Sequence, residues 1–170
     1  CMCNPAAHPH SMRSGRAGPS LRKSELNTST VILFDRDAQA APAIADGLRE
    51  AGFVVMRTDP TTDPCWRDRV DCSVAMIHID SLGDAGLSLI AQMRREAIWR
   101  DVSILALSQD ESLAIRAMRS GASDFLILPA ADELIATRVQ LLMRYQLANF
   151  ELQAANELRT EHARTLLALL

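Results

Sequence analysis

The candidates for chemistry in this chain are the residues that end four of its apolar stretches. They are Asp35, Arg36 and Asp37 after residues 31–34, His78 and Asp80 at the end of the stretch that begins at residue 74, Ser108 after residues 104–107, and Leu128 at the end of residues 125–128. Phosphoryl transfer to a side chain needs a nucleophilic carboxylate, a divalent cation held by further carboxylates, and positive charge on the transferring group. The acids suit this chemistry, whereas the histidine and the leucine do not.

Elements that would position these residues alternate along the chain from residue 30 onward. Short apolar segments alternate with segments of helical periodicity, which predicts an α/β fold with a parallel sheet. The five strands are predicted at residues 31–34, 53–56, 73–79, 102–107 and 125–128. Because ligands of an open parallel sheet gather at the carboxyl ends of its strands, we expect the candidate residues to lie at one edge.

Two motifs carry a family resemblance. They are His78-Ile-Asp-Ser-Leu-Gly-Asp-Ala-Gly86-Leu87 and Gly121-Ala-Ser-Asp-Phe125-Leu-Ile-Leu128-Pro129. On these motifs, residues 30 to about 145 resemble the CheY-like receiver domains of two-component response regulators. The resemblance implies a flavodoxin-like, doubly wound sheet of five parallel strands in the order 2-1-3-4-5, followed by an extended C-terminal helix. The second motif and the long helix resemble receivers attached to diguanylate cyclase domains.

Three positions depart from the receiver pattern. Where the family has a second acid, a phospho-accepting aspartate and a lysine, this chain has Arg36, His78 and Leu128. An arginine repels Mg²⁺, an imidazole offers no oxygen ligand, and a leucine lacks the ammonium that would pair with an acylphosphate. We therefore predict a degenerate pseudo-receiver that is not an enzyme, has no catalytic residue, and uses no metal or other cofactor. Its predicted role is a phosphorylation-independent interaction and dimerisation module.

Alternatives remain open for several of these residues. Asp80 becomes the acceptor if two residues are deleted before Gly86, and the domain is then a working phospho-acceptor that uses Mg²⁺. His78 is a neutral imidazole hydrogen-bonded among loop groups or, much less favoured, a phosphohistidine. Arg36 either pairs with Asp35 or Asp80 or is solvated at the start of a helix.

The remaining site predictions also have alternatives. Asp37 either substitutes for the missing second acid or points into the first helix. The resemblance implies a phosphoryl-oxygen ligand at Ser108 and an aromatic switch at Phe125, for which a purely structural role is equally compatible. A flavodoxin-like enzyme or nucleotide binder is a third class of function. It is disfavoured because no glycine-rich phosphate loop follows the first strand.

The chain divides into three predicted parts: a disordered leader at 1–29, a receiver-like domain at 30–145 and a helical, coiled-coil extension at 146–170. Residues 131–170 contain no Gly or Pro, which predicts one long helix or two abutting helices. A heptad seam runs through Leu141, Tyr145, Ala148, Leu152, Ala155, Arg159, His162, Leu166 and Leu169. We predict that this seam pairs two copies into a homodimer. The alternative is a helix that folds back on its own core.

Composition limits the partners and the compartment. The net charge of −3 gives no reason to expect direct nucleic-acid contact, and no apolar run is long enough to span a bilayer. The expected partners are another protein or the chain's own output domain. The four cysteines suggest no disulfide framework, so a cytoplasmic location is predicted. Cys1, Cys3, His8 and His10 have spacings compatible with metal ligands, but an unstructured leader is the favoured interpretation.

Overall fold

The computed structural model describes residues 29–36, 40–68 and 72–168. It contains one parallel sheet in the strand order β2-β1-β3-β4-β5. The strands are β1 (Thr30–Phe34), β2 (Val54–Thr58), β3 (Val74–His78), β4 (Ser103–Ser108) and β5 (Asp124–Ile127). The helices are α1 (Ala40–Glu50), α2 (Ile79–Leu82), α3 (Asp84–Met93), α4 (Glu111–Ser120) and α5 (Asp132–Ala168), with a 3₁₀ helix at Pro64–Asp68. The predicted flavodoxin-like fold, its strand order and its long C-terminal helix are confirmed.

Strand ends differ from the predictions by one or two residues. The largest consequence is at β3, which was predicted to include Ile79 but ends at His78, because Ile79 begins the short helix α2. This helix was not predicted, since its four residues are too few to show a helical period. The structure therefore places Asp80 in a helical turn rather than in an extended segment after the strand.

Helices cover both faces of the sheet. All residues of β1, β3 and β4 are buried, which agrees with the continuous apolar run in each of these strands. On one face, α1 and α5 pack through Ile44, Leu48, Ile135 and Val139. On the other face, the residues of α3 and α4 pack with an aromatic cluster of Phe34, Trp66 and Trp99, whose ring centroids lie 5.6–6.0 Å apart.

A glycine in the left-handed conformation ends α4. Gly121 has a φ of 112°, in the left-handed region, and its N–H donates to the carbonyl groups of Ala117 and Met118. This conformation after a helix favours glycine, because glycine has no Cβ atom that would clash with the backbone. At the other end, the Asp110 side chain accepts the N–H of Ser112 and caps α4. The cap fixes where the loop after β4 meets its helix.

The helix α5 is 37 residues long, and only its first turns join the core. Ile135, Val139 and Leu142 are buried, and the Ser103 N–H donates to the side-chain oxygen of Gln146. From Leu147 onward, every side chain of α5 that the structure describes is exposed. None of the helices within the described ranges has the length and apolar character needed to cross a membrane. The proposed division of the chain at residues 29 and 145 stays a prediction.

Candidate functional site

Asp35 is the centre of a buried ionic cluster at the carboxyl end of the sheet. Its side chain is 0% exposed, and its Oδ2 accepts a hydrogen bond from Nη2 of Arg57 at 2.9 Å. Its Oδ1 lies 3.2 Å from Nδ1 of His78, whose side chain is 3% exposed. A carboxylate can only accept, so Nδ1 of His78 carries the hydrogen of this bond. The predicted convergence of Asp35 and His78 is confirmed.

Asp80 reaches away from this cluster towards the loop after β4. Its Oδ1 accepts from the hydroxyl of Ser108 at 2.9 Å, and its Oδ2 accepts from the backbone N–H of Gln109 at 2.7 Å. Its side chain is 26% exposed, whereas Ser108 is fully buried. Asp80 is therefore the more accessible of the two carboxylates, and both of its oxygens are engaged.

His78 stands between the two carboxylates. Its Nε2 lies 3.8 Å from Oδ2 of Asp80, which is beyond hydrogen-bonding distance. This nitrogen is buried and has no hydrogen-bond partner within the described ranges. The arrangement fits an imidazole that is hydrogen-bonded at the edge of the sheet, with Nδ1 donating to Asp35.

Of the two alternatives for Arg36, the ion pair with Asp35 or Asp80 is not formed. Its guanidinium lies 3.6 Å from the carboxylate of Asp59, because the chain after β1 directs Arg36 towards the loop after β2. Both side chains are partly exposed. Hydrogen bonds from the hydroxyl and N–H of Thr61 lower the pKa of Asp59, and the charge of Arg36 adds to this effect. The alternative in which Arg36 is the cation on Asp35 is therefore wrong, because Arg57 forms that ion pair.

Leu128 and Phe125 occupy opposite sides of the last strand. The N–H of Leu128 donates to the carbonyl of Ser108 at 2.9 Å, so its backbone lies at the predicted edge. Its side chain packs partly against the layer formed by α1 and α5, and Phe125 packs partly against the layer formed by α3 and α4. The peptide bond between Leu128 and Pro129 is cis. Asp37 lies outside the described residues.

Sequence reasoning missed Arg57, which is the main partner of Asp35. A signal was available, because β2 neighbours β1 in the predicted order and Arg57 directly follows the second predicted strand at 53–56. In the sheet, Arg57 pairs in register with Leu33, two residues before Asp35. Side chains two residues apart on a strand share a face, so the guanidinium of Arg57 can extend along the sheet to Asp35.

The arrangement determines which ligands this site can offer. Magnesium needs several oxygen ligands, but Asp35 accepts from a guanidinium and an imidazole. Over residues 29–36, 40–68 and 72–168, no group of three or more His, Cys, Asp or Glu side chains could hold a metal ion. As they stand, these residues do not fit a resident Mg²⁺ ion.

Comparisons with known proteins place the fold. No family model matches the chain. The alginate biosynthesis transcriptional regulatory proteins AlgB of Pseudomonas syringae pv. tomato and Pseudomonas putida are each 39% identical over 70 residues, which is 40% of this chain and 16% of theirs. The match thus spans about a sixth of the length of these curated relatives.

Solved structures cover more of the chain. A response regulator from Thermotoga maritima superposes with a TM-score of 0.59 at 23% identity, covering 69% of this chain and 98% of its own. The chemotaxis protein CheY4 of Vibrio cholerae superposes with a TM-score of 0.61 at 16% identity, covering 68% and 98%. The chain therefore has the CheY-like flavodoxin fold of response regulator receiver domains.

Proposed function

We propose that this chain is an atypical receiver domain of a two-component signalling protein that acts without being phosphorylated. Its role is to bind a protein partner or its own output domain and to pair with a second copy of itself. The observation that carries the proposal is the buried carboxylate of Asp35, which holds the guanidinium of Arg57 and the imidazole of His78.

This cluster supports a pocket without phosphoryl chemistry. A divalent cation at Asp35 would have to displace Arg57 and would then lie close to its positive charge, which is unfavourable in a buried site. The residue at the usual acceptor position is His78, and it offers no oxygen to a hard cation. Leu128 supplies no ammonium for an acylphosphate. The domain in this proposal therefore has no enzymatic activity and needs no cofactor.

Exposed apolar side chains on α5 support pairing with a second copy. Leu141, Tyr145 and Leu152 of the predicted seam are each more than half exposed. Burying an exposed leucine side chain contributes roughly 1.5–3 kcal/mol, so the burial of these side chains between two α5 helices would stabilise a dimer. Ala148, Ala155, Arg159 and His162 are also exposed. The side chain of Leu166 and the whole of Leu169 lie outside the described residues.

Further apolar side chains are exposed at the start of α5 and on β5 and α4. Leu134 at the start of α5, Ile127 on the edge strand β5, and Ile115 and Met118 on α4 are all exposed. An ion pair between Arg138 and Asp124, 3.0 Å long, joins α5 to β5. A dimer formed through α5 would cover part of this surface as well.

Exposure to acetyl phosphate and Mg²⁺ tests the proposal. We expect the intact mass to remain unchanged, because Asp35 is engaged by its own cation and no acceptor aspartate occupies position 78. Asp80→Asn is the matched variant. The proposal would be refuted if the chain without the substitution gains the mass of a phosphoryl group and the Asp80→Asn variant does not.

Phosphorylation at Asp80 is the second candidate function. The observation that favours it is the position of the Asp80 carboxylate, which is partly exposed and lies 2.9 Å from the Ser108 hydroxyl. In that case the domain is a working phospho-acceptor that recruits Mg²⁺. The same mass measurement separates the two functions.

The output of the signalling protein is also part of the proposal. The motif at residues 121–129 favours an output of the diguanylate cyclase type, while the curated relatives are named transcriptional regulatory proteins. With a net charge of −3, this chain itself is not expected to contact nucleic acid. A cytoplasmic location belongs to this proposal, since the four cysteines of the chain suggest no disulfide framework.

A further inference from the structure

The short helix α2 connects two loops at the carboxyl edge of the sheet. Ser81 accepts the N–H of Arg36 at 3.2 Å and donates to the carbonyl of His78 at 3.0 Å, which ties α2 to the chain after β1. The preceding residue, Asp80, contacts the loop after β4 instead. The adjacent side chains of Asp80 and Ser81 therefore hold two different loops, and a substitution can remove either contact without the other.

The contact of Asp80 with the loop after β4 involves both of its oxygens. The donors are the hydroxyl of Ser108 and the N–H of Gln109, at 2.9 and 2.7 Å. The Ser108 oxygen also accepts the N–H of Asp110 at 3.0 Å, and Asp110 caps α4 through Ser112. One carboxylate is thus connected through hydrogen bonds to the whole turn from β4 to the first residues of α4.

The charge of Asp80 is central to this contact. A hydroxyl and a backbone N–H that converge on one group form an oxyanion-binding arrangement, and hydrogen bonds to an ionised acceptor are shorter and stronger than neutral ones. The Ser108 hydrogen can also be directed to the carbonyl of Asp110, at 3.1 Å. With Asp80 ionised, the carboxylate is the better acceptor for it.

We propose that Asp80 is a built-in anion that holds the loop between β4 and α4 in one conformation, so that this loop does not wait for an external phosphoryl group. The inference rests on the proposed function and explains how a domain that is not phosphorylated keeps a defined surface at α4. Asp80 acts here as a positioning residue for the loop.

Amide hydrogen exchange at Gln109 and Asp110, measured by NMR on the full chain, tests the proposal. Asp80→Ala should increase exchange at Gln109 by roughly 10-fold to 100-fold, which corresponds to the loss of its hydrogen bond to a charged group. Exchange at Asp110 should also increase, because its N–H is bonded to the Ser108 hydroxyl that Asp80 holds. Asp80→Asn should also increase it, because the amide keeps only one acceptor oxygen and loses the charge. Ser81→Ala is the matched control, and it should leave Gln109 unchanged and increase exchange at Arg36.

Unchanged exchange at Gln109 in both Asp80 variants would overturn the proposal, as would an increase that Ser81→Ala reproduces. Exchange at the buried strands β3 and β4 reports whether a variant is folded. If Asp80→Ala does not fold, Ser108→Ala removes the opposite side of the contact and should loosen the same loop. No phosphodonor is used, so the result is separable from the proposed function: phosphorylation of Asp80 by acetyl phosphate would refute that function while leaving the loop measurement intact.

Discussion

Replacing Arg57 with leucine probes the ionic cluster directly. The variant removes the guanidinium whose Nη2 lies 2.9 Å from Oδ2 of Asp35. The Asp35 side chain is 0% exposed, whereas that of Arg57 is 33% exposed. The change therefore leaves a buried carboxylate without its main cation, while the arginine itself was partly solvated.

The expected loss of stability follows from this difference in exposure between Asp35 and Arg57. Removing one partner of a fully buried ion pair costs about 3–5 kcal/mol, and an exposed pair contributes about 0–1 kcal/mol. Because Arg57 is one-third exposed and His78 remains beside Asp35, we expect a loss of about 2 kcal/mol in the free energy of unfolding. Asp35→Asn in the Arg57→Leu background should restore part of it, because the uncompensated charge is then gone.

Urea unfolding followed by tryptophan fluorescence is a suitable assay. The chain has two tryptophans, Trp66 and Trp99, and both are buried in the aromatic cluster. Arg116→Leu is the matched control, since Arg116 and Asp84 also lie 3.0 Å apart but are 53% and 87% exposed. It should change stability by less than about 0.5 kcal/mol. All variants need the same protein concentration, because self-association shifts apparent stability.

Two results would refute the reasoning about Arg57. One is a loss in Arg57→Leu no larger than in the Arg116→Leu control. The other is a double variant, with Asp35→Asn added, that is less stable than Arg57→Leu alone. Either result would mean that the Asp35 charge is compensated by something other than the guanidinium.

Two further predictions concern the long helix and the end of α4. Truncation after Gln146 should convert a dimer into a monomer by light scattering, because most of the exposed seam on α5 is removed. If the truncated chain and the full chain form assemblies with the same number of subunits, pairing through this helix is contradicted. Gly121→Ala should destabilise by about 1–3 kcal/mol in the urea assay, since its φ is 112° and an added Cβ would lie 2.8 Å from Cγ of Arg94. Gly52→Ala is its control, with a φ of 94° but no crowding, and a loss there as large as at Gly121 would rule out the contact with Arg94 as a contributor.

The fold was predictable because its determinants are local and repeated. The continuous apolar runs of β1, β3 and β4 correspond to strands buried on both faces. Strand ends were less predictable, since a residue such as Ile79 is equally apolar in a strand or in a buried helical turn. The short helix α2 has no sequence period to reveal it.

The candidate site was predictable in its position but not in its pairings. Asp35 and His78 converge because parallel strands bring their carboxyl ends together. Which cation joins Asp35 depends on the register between β1 and β2, and β2 has a mixed pattern of buried and exposed residues that does not determine it. Arg36, next to Asp35 in sequence, was therefore a natural but incorrect partner, and Arg57 was overlooked.

The most direct test of the central claim is a calorimetric titration of Mg²⁺ into the full chain, with and without beryllofluoride as a phosphoryl mimic. No saturable binding is expected in either experiment, because Asp35 is engaged by Arg57 and His78. Stoichiometric binding of Mg²⁺ and beryllofluoride that is lost in Asp80→Asn would instead establish Asp80 as a phospho-acceptor.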